Sequence, residues 1–359
     1  MIKRILIVLL GVGIAGLVAF NMFKAQIGTQ LFNRVVDQRV GVDASAALSD
    51  GLHVFMCGTG SPMLDESRAG PCIGVLAGEK AYVFDVGSGG ARNLGSMRFP
   101  LDRLEAVYLT HLHSDHIDGL GELLLVSWIG GSRASPTPVR GPAGTLDVVG
   151  GFNAAYRIDS TYRVAHHGEA VANPSGFGGA GEEIVLPAGD NAKLIVLEDG
   201  DLKITAIRVG HAPVEPAFGY RVDYKGRSVS ISGDTIFHSG FVSASEGVDL
   251  MLHEALNKDM VSKIGATLGA RGNANGATVF ADILDYHASP EDAARAAQGA
   301  KADRLVLYHL VPPLPVDMLE AVFLGDAGSE FDGKITVGKD GMVFSLPAGS
   351  DAIKLQETF

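Results

Sequence analysis

From His53 onward the chain sets short apolar runs between Gly-, Pro- and Asp-rich breaks, the pattern of β-strands joined by tight turns. His53–Cys57 is one such run and stops at Gly58-Thr59-Gly60. Ile73–Leu76 and Ala81–Phe84 follow, with a turn at 78–80, and Ala106–Leu109 is a fourth strand candidate. A helix is expected over Gly119–Ile129, and Val139 runs into a turn at Arg140-Gly141-Pro142. A second series of strands is expected at Leu194–Leu197, Ile204–Val209, Gly219–Tyr224, Val229–Ser232 and Asp249–Leu252, with a last interior strand at Arg304–Tyr308. Ser289-Pro290-Glu291-Asp292 opens a helix: Ser289 caps it, Pro290 suits its first turn and Asp292 completes a capping box. Two series of strands, each followed by helices, predict two packed sheets with helices on their outer faces. Gly265–Gly276 reads as a mobile loop able to serve as a lid, and residues 151–200 as a Gly-rich insertion.

The N-terminus follows a different pattern. Ile5 to Phe23 holds no charged side chain, with Lys3 and Arg4 before it and Lys24 after it. Such a run just spans a bilayer core, which takes about 20 apolar residues as a helix. The leading positive charges hold the N-terminus in the cytoplasm. The segment 1–24 is therefore expected to be an uncleaved signal anchor or a cleaved signal peptide; Leu17-Val18-Ala19 is a poor cleavage site, which favours the anchor. Either way the domain faces the periplasm, tethered to the inner membrane or released. Residues 25–51 read as a connector and 52–359 as the catalytic domain.

Composition narrows the picture. With 359 residues, 47% of them hydrophobic, the chain can bury a large core. Its net charge of −12 gives no general attraction to nucleic acid. The two cysteines, Cys57 and Cys72, make no metal motif and are expected as buried strand thiols, with one disulfide as the alternative outside the cytoplasm.

Three of the chain's 11 histidines fall in His111-Leu112-His113-Ser114-Asp115-His116, directly after a strand. Imidazole and carboxylate donors so closely spaced suit zinc and similar ions. On a strand-to-helix turn, His111 and His113 can share one ion while Asp115 and His116 serve a neighbour. Elsewhere, His166, His167 and His238 read as solvated loop histidines, His253 as a core histidine turned from the metals, and Trp128 as core.

H-x-H-x-D-H resembles the signature of the metallo-β-lactamase superfamily, whose fold is a four-layer αββα sandwich in the α+β class. The resemblance covers roughly residues 52–346. It implies that Asp85, in Val83-Phe84-Asp85-Val86-Gly87, braces the histidine loop. It also implies that His211 completes the first metal's ligands, that Asp234 bridges both metals and that His309 is the second metal's last ligand. Gly58-Thr59-Gly60-Ser61-Pro62 with Arg68, Gly219-Tyr220-Arg221, His253-Glu254-Ala255 and His287-Ala288-Ser289 are similar to ribonuclease Z and its relatives. That likeness pairs Glu254 with His287 beside the metals.

The expectation is thus a hydrolase with two divalent ions, Zn2+ or alternatively Mn2+, held by His111, His113, Asp115, His116, His211, Asp234 and His309. Asp115 orients the attacking water, His287 steered by Glu254 protonates the leaving group, and Arg221 contacts a substrate phosphate. Relatives form homodimers, which makes a dimer a candidate state. Precursor transfer RNA is a doubtful substrate. No room exists between His211 and Asp234 for the arm of the transfer-RNA-processing members, and Leu310-Val311-Pro312-Pro313 replaces their basic run after the last ligand. Phosphodiester cleavage is the leading reading. Hydrolysis of a carbon ester, lactone, β-lactam or aryl sulfate is the alternative, and a non-catalytic metal-binding membrane module the third.

Overall fold

Strands that bury both faces need a cover on each side, and the chain supplies it in layers. The computed structural model describes residues 1–358; Phe359, the last position of the expected catalytic domain, lies outside the described residues. Strands β1 (Gly51–Gly58), β2 (Cys72–Ala77), β3 (Lys80–Val86), β4 (Leu104–Tyr108), β5 (Thr137–Gly141) and β6 (Gly179–Glu183) form a first sheet. A second takes β7 (Lys193–Asp199), β8 (Leu202–Val209), β9 (Ala217–Tyr224), β10 (Arg227–Ile231), β11 (Leu250–Leu256), β12 (Arg304–Val311) and β13 (Lys334–Val337). The chain then returns to the first sheet through β14 (Met342–Pro347) and β15 (Lys354–Glu357). The orders are β15-β14-β1-β2-β3-β4-β5-β6 and β13-β12-β11-β10-β9-β8-β7. β3 to β6 run parallel, as do β10 to β13, so the C-terminal ends of these strands lie along one edge of each sheet.

By contact the chain divides into two units, Met1–Ala47 and Leu48–Phe359. The first is α1 (Ile2–Arg39) with a short turn at Ser45–Ala47. At 38 residues α1 exceeds the length needed to cross a bilayer, and apolar side chains along it, including Leu6, Leu9, Leu10 and Phe20, are exposed. It satisfies its own backbone groups, as a segment in lipid must. This fits a signal anchor or signal peptide.

In the second unit, α2 (Gly90–Ser96), α3 (Ser114–Ile117), α4 (Leu120–Gly130) and α5 (Thr145–His167) follow strands of the first sheet. Later come α6 (Ser239–Ala244), α7 (Lys258–Ala270), α8 (Ala274–Asp282) and α9 (Pro290–Ala300). One apolar cluster lies between the sheets: Leu52, Val54, Phe84 and Tyr108 of the first meet Ile204, Tyr220, Leu252 and Val306 of the second. A second joins the first sheet's outer face to helices through Leu94, Leu120, Leu123 and Val149; a third lays Ala293, Ala296, Ala297 and Ala300 of α9 on Met251, Leu305 and Leu307. This is the expected αββα sandwich. α9 begins with the expected Ser289/Asp292 capping box, and Trp128 is buried, its Nε1 donating to the Asn173 carbonyl.

Three sequence expectations need correction. Gly265–Gly276 is not one long loop but the central part of a helical hairpin, the end of α7, a short turn and the start of α8. Asn257 and Asn273 cap α7 and α8, and Val261, Phe280, Ile283 and Leu284 pack on Leu256 and Val311, which overrides the low helix propensity of glycine. The stretch read as a Gly-rich insertion begins in the 23-residue α5, whose Gly150 and Gly151 sit where a Cβ would meet open space. Cys57 and Cys72 are not thiols: the β1–β2 pairing brings their Cα atoms to 5.0 Å and they form a disulfide. The pattern of apolar runs located both strands but not which face each cysteine took.

Candidate metal centre

The seven sequence-predicted donors meet at the C-terminal edge of the strands. His111 to His116 leave β4, His211 follows β8, Asp234 follows β10 and His309 lies in β12. Two of the residues that shape this edge occupy β-bulges. The β2–β3 register skips Asp85, and the β11–β12 register skips His309. Both take left-handed backbone, φ 52 and 47. A bulge re-aims a side chain that regular alternation would send elsewhere. Gly233, φ +61, allows the turn into Asp234; a Cβ there would meet the Phe218 carbonyl at 2.6 Å.

Asp85 is hydrogen-bonded into the loop. Its Oδ1 accepts from Thr110 N at 2.8 Å, and Oδ2 accepts from Thr110 Oγ1 at 2.7 Å and pairs with His116 Nδ1 at 2.8 Å. A histidine held at Nδ1 presents Nε2. His116 Nε2 lies 3.4 Å from Asp234 Oδ1 and 3.5 Å from Asp115 Oδ2. His309 Nε2 lies 3.3 Å from Asp115 Oδ2 and 3.3 Å from Asp234 Oδ2. On the other side His111 Nε2 and His113 Nδ1 converge to 2.9 Å. His211, fixed by the Tyr286 carbonyl at Nδ1, brings Nε2 to 3.8 Å from Asp234 Oδ2. Two donor groups result, His111/His113/His211/Asp234 and Asp115/His116/His309, each with its donor atoms within 4.8 Å of one another.

The donors fit divalent ions on two counts. Buried His116 Nε2, His211 Nε2 and Asp234 Oδ1 have no hydrogen-bond partner, a costly state unless a ligand completes them. The charge balance points the same way. Burial opposes the charged form of His116, yet Asp234, Asp85 and Asp115 together raise it well above the ordinary range. Burial opposes the Asp234 carboxylate too, yet His309 and His116 hold its carboxyl well below its usual value. These buried carboxylates demand positive charge, and metal ions supply it while leaving the imidazoles neutral to ligate. His111, lowered by burial and by His116, is already set in the neutral form.

Beside this cluster, fully buried Glu254 reaches from β11 to His287, the residue that leads into α9. Glu254 Oε1 lies 2.9 Å from His287 Nδ1 and also accepts from Thr235 N and Ala288 N at 3.1 Å each. A ring nitrogen of His287 also joins Asp234 and His309 in a third convergent group. Burial disfavours the charged ring, but Glu254 and Asp234 outweigh it and raise His287 to about 9.

Arg221 is not brought to the cluster. Alternation along β9 sends Tyr220 inward and Arg221 to the outer face, where it pairs with Asp223 and donates to the carbonyls of Ala244 and Glu246. His253 is buried against Phe241, as expected of a core residue. His238 is not a solvated loop residue: it caps α6, accepting from Phe241 N. His166 and His167 are exposed but close α5 rather than lying in a loop. Tyr286 escaped the sequence reading. Its ring lies 4.8 Å from that of His211 and 4.6 Å from that of His287. Adjacency to His287 was the one signal available.

A family model described as "Beta-lactamase superfamily domain" matches residues 83–310. The ribonuclease Z of Mycobacterium bovis is 35% identical over 291 residues, covering 80% of this chain and 96% of that protein. The ribonuclease Z of Mycobacterium avium is 33% identical over the same spans. Among solved structures, the short form of human tRNase Z aligns with TM-score 0.56 at 23% identity, covering 82% of this chain and 99% of that one. The metallo-β-lactamase fold protein YhfI of Bacillus subtilis aligns with TM-score 0.54 at 19% identity over 82% and 99%. Matched through its metal-ligand strands and over nearly the whole length of these relatives, the chain belongs to the metallo-β-lactamase superfamily and is a metal-dependent hydrolase of the ribonuclease Z type.

Proposed function

We propose that the chain hydrolyses phosphodiesters at a two-metal centre, with zinc as the native ion. The observation that carries this reading is the buried Glu254–His287 pair, held at 2.9 Å with His287 grouped with the metal donors Asp234 and His309. Departure of an alkoxide from phosphorus is aided by a proton donor, and a carboxylate-steered imidazolium is suited to give one. Bound divalent ions supply Lewis-acid activation of water and of the phosphoryl group. Asp234 contributes to donor groups on both sides and is the candidate bridge. Asp115, beside His309, orients the attacking water. As the P–O bond to the leaving alcohol breaks, His287 gives a ring proton to the departing oxygen while Glu254 stabilises the charge on the ring. The ribonuclease Z relatives support a phosphodiester, and the short His211–Asp234 connection supports one other than precursor transfer RNA.

The exposed apolar helix and the disulfide support a site of action outside the cytoplasm. On this reading α1 anchors residues 52–359 to the inner membrane facing the periplasm. The test is hydrolysis of bis-p-nitrophenyl phosphate by the detergent-solubilised, zinc-loaded chain beside His287→Ala. Zinc-dependent turnover of this ester is expected in both proteins, since p-nitrophenolate departs without a proton, whereas a diester with an alkoxide leaving group, such as thymidylyl-thymidine, should lose about a hundredfold or more in the variant with metal content unchanged. Absence of turnover in a fully metallated wild type would move the assignment to ester, lactone, sulfate or β-lactam substrates.

A further inference from the structure

A cleft of about 540 Å³ opens beside Ser114 and Asp115, walled by the segment Ser61–Gly70 with Asp118 and Asp340. Its charge is lopsided. Asp65, Glu66, Asp118 and Asp340 line it alongside Asp115, and Arg68 is the one cation among the lining residues.

Arg68 is not free for a substrate. Its side chain is 7% exposed, with Nη1 donating to Thr59 Oγ1 and the Gly338 carbonyl and Nε 3.8 Å from Asp65 Oδ2. Asp340 is similarly committed, accepting from Thr59 N, Thr59 Oγ1, Ala69 N and Asn93 Nδ2. Glu66 and Asp118 are exposed and make no ion pair among the described residues. Ser61 supplies an independent sign of a ligand: it lines the cleft at 8% exposure, and its Oγ has no partner.

A phosphate chain entering this cleft would meet carboxylates and no available guanidinium or ammonium, the reverse of what nucleic-acid binding requires. A cation would be drawn to the Glu66 and Asp118 carboxylates, which, unlike Asp115, are not assigned to a metal.

We propose that this cleft is a subsite for a positively charged substituent, so that the preferred phosphodiester carries an ammonium group on the arm that is not displaced. The inference rests on the phosphodiesterase reading above and names the substrate class for that site.

The test uses the metal-loaded full chain in detergent and two substrates with one leaving group, p-nitrophenyl phosphorylcholine and its uncharged isostere p-nitrophenyl 3,3-dimethylbutyl phosphate. At low salt the choline ester should show kcat/KM about five- to tenfold higher, the scale of one favourable charge contact at a partly exposed site. Glu66→Lys and Asp118→Asn should each bring that ratio toward one, and so should 0.5 M sodium chloride. Using the ratio cancels any general loss of activity in a variant, and Glu66→Gln guards against a folding effect of the reversed charge. Equal rates for the two esters in the wild type, or a preference indifferent to Glu66→Lys and to salt, overturn the subsite while leaving the phosphodiesterase reading in place. No turnover of either ester, nor of bis-p-nitrophenyl phosphate, by protein holding its metals overturns both.

Discussion

Asp234 belongs to one donor group and lies beside the other: Oδ2 lies 3.8 Å from His111 and His211 and 3.3 Å from His309, and Oδ1 lies 3.4 Å from His116. Asp234→Ala should therefore remove at least one ion per chain by elemental analysis and abolish turnover; a fully metallated, active variant would sink its assignment. Asp85 acts one step back, through His116 and Thr110. Asp85→Ala should weaken metal affinity about 10–100-fold without deleting a ligand; an unchanged affinity in a chelator competition would mean the brace is not needed. In the proposed mechanism Glu254 governs the acid. It raises His287, the proposed proton donor in its charged form, to about 9. A raised histidine stays protonated until pH climbs through its pKa, so activity should fall on the alkaline side, and bound metal charge should place that limb below 9. Glu254→Gln removes the charge that favours imidazolium and should shift the limb further toward neutral pH. A pH–kcat/KM profile that does not move would detach Glu254 from the acid.

At the scale of elements, the metal loop is seated on glycines. A Cβ on Gly87 would come to 2.1 Å from the Asp115 carbonyl and 2.5 Å from the Gly70 carbonyl carbon. Gly87→Ala should push α3 off its seat, costing about 1–3 kcal/mol of stability and lowering metal content; a variant that melts and metallates like wild type would show that the loop can shift without cost. This packing also explains which parts of the site were legible in the sequence. The His111–His116 cluster was readable as a candidate site because it stands just beyond an apolar run; His211 and Asp234 also stand beyond such runs, but their assignment came from the resemblance. The bulges that turn Asp85 and His309 inward have no marker in composition, so their orientation came only from the resemblance. Arg221 shows the reverse case: the strand was located, but its facing depends on β9 register, and one position decides between core and outer face. The α7–α8 hairpin was misread because glycines signal loops locally, while its stability comes from Asn caps and contacts distant in sequence.

For the whole molecule, the disulfide and the apolar helix bear on one question, the compartment in which the domain works. Cys57–Cys72 ties the first two strands of the domain together across a sequence separation of 15, a loop for which a disulfide contributes about 3 kcal/mol. That contribution exists only where thiols oxidise. Cys57→Ser with Cys72→Ser should thus lower stability by about 2–4 kcal/mol for protein made outside the cytoplasm, and by much less when the reference protein has been kept reduced. Topology gives the sharper test. If α1 holds the N-terminus in the cytoplasm through Lys3 and Arg4, the full chain expressed in a Gram-negative host should sediment with membranes. Protease added to spheroplasts should then digest the domain, and Cys57 and Cys72 should resist alkylation until a reductant is supplied. Digestion that requires lysis, together with freely alkylated cysteines, would place the domain in the cytoplasm. That outcome would return transfer-RNA precursors to the set of reachable substrates, leaving the acidic cleft beside Asp115 as the barrier to their binding.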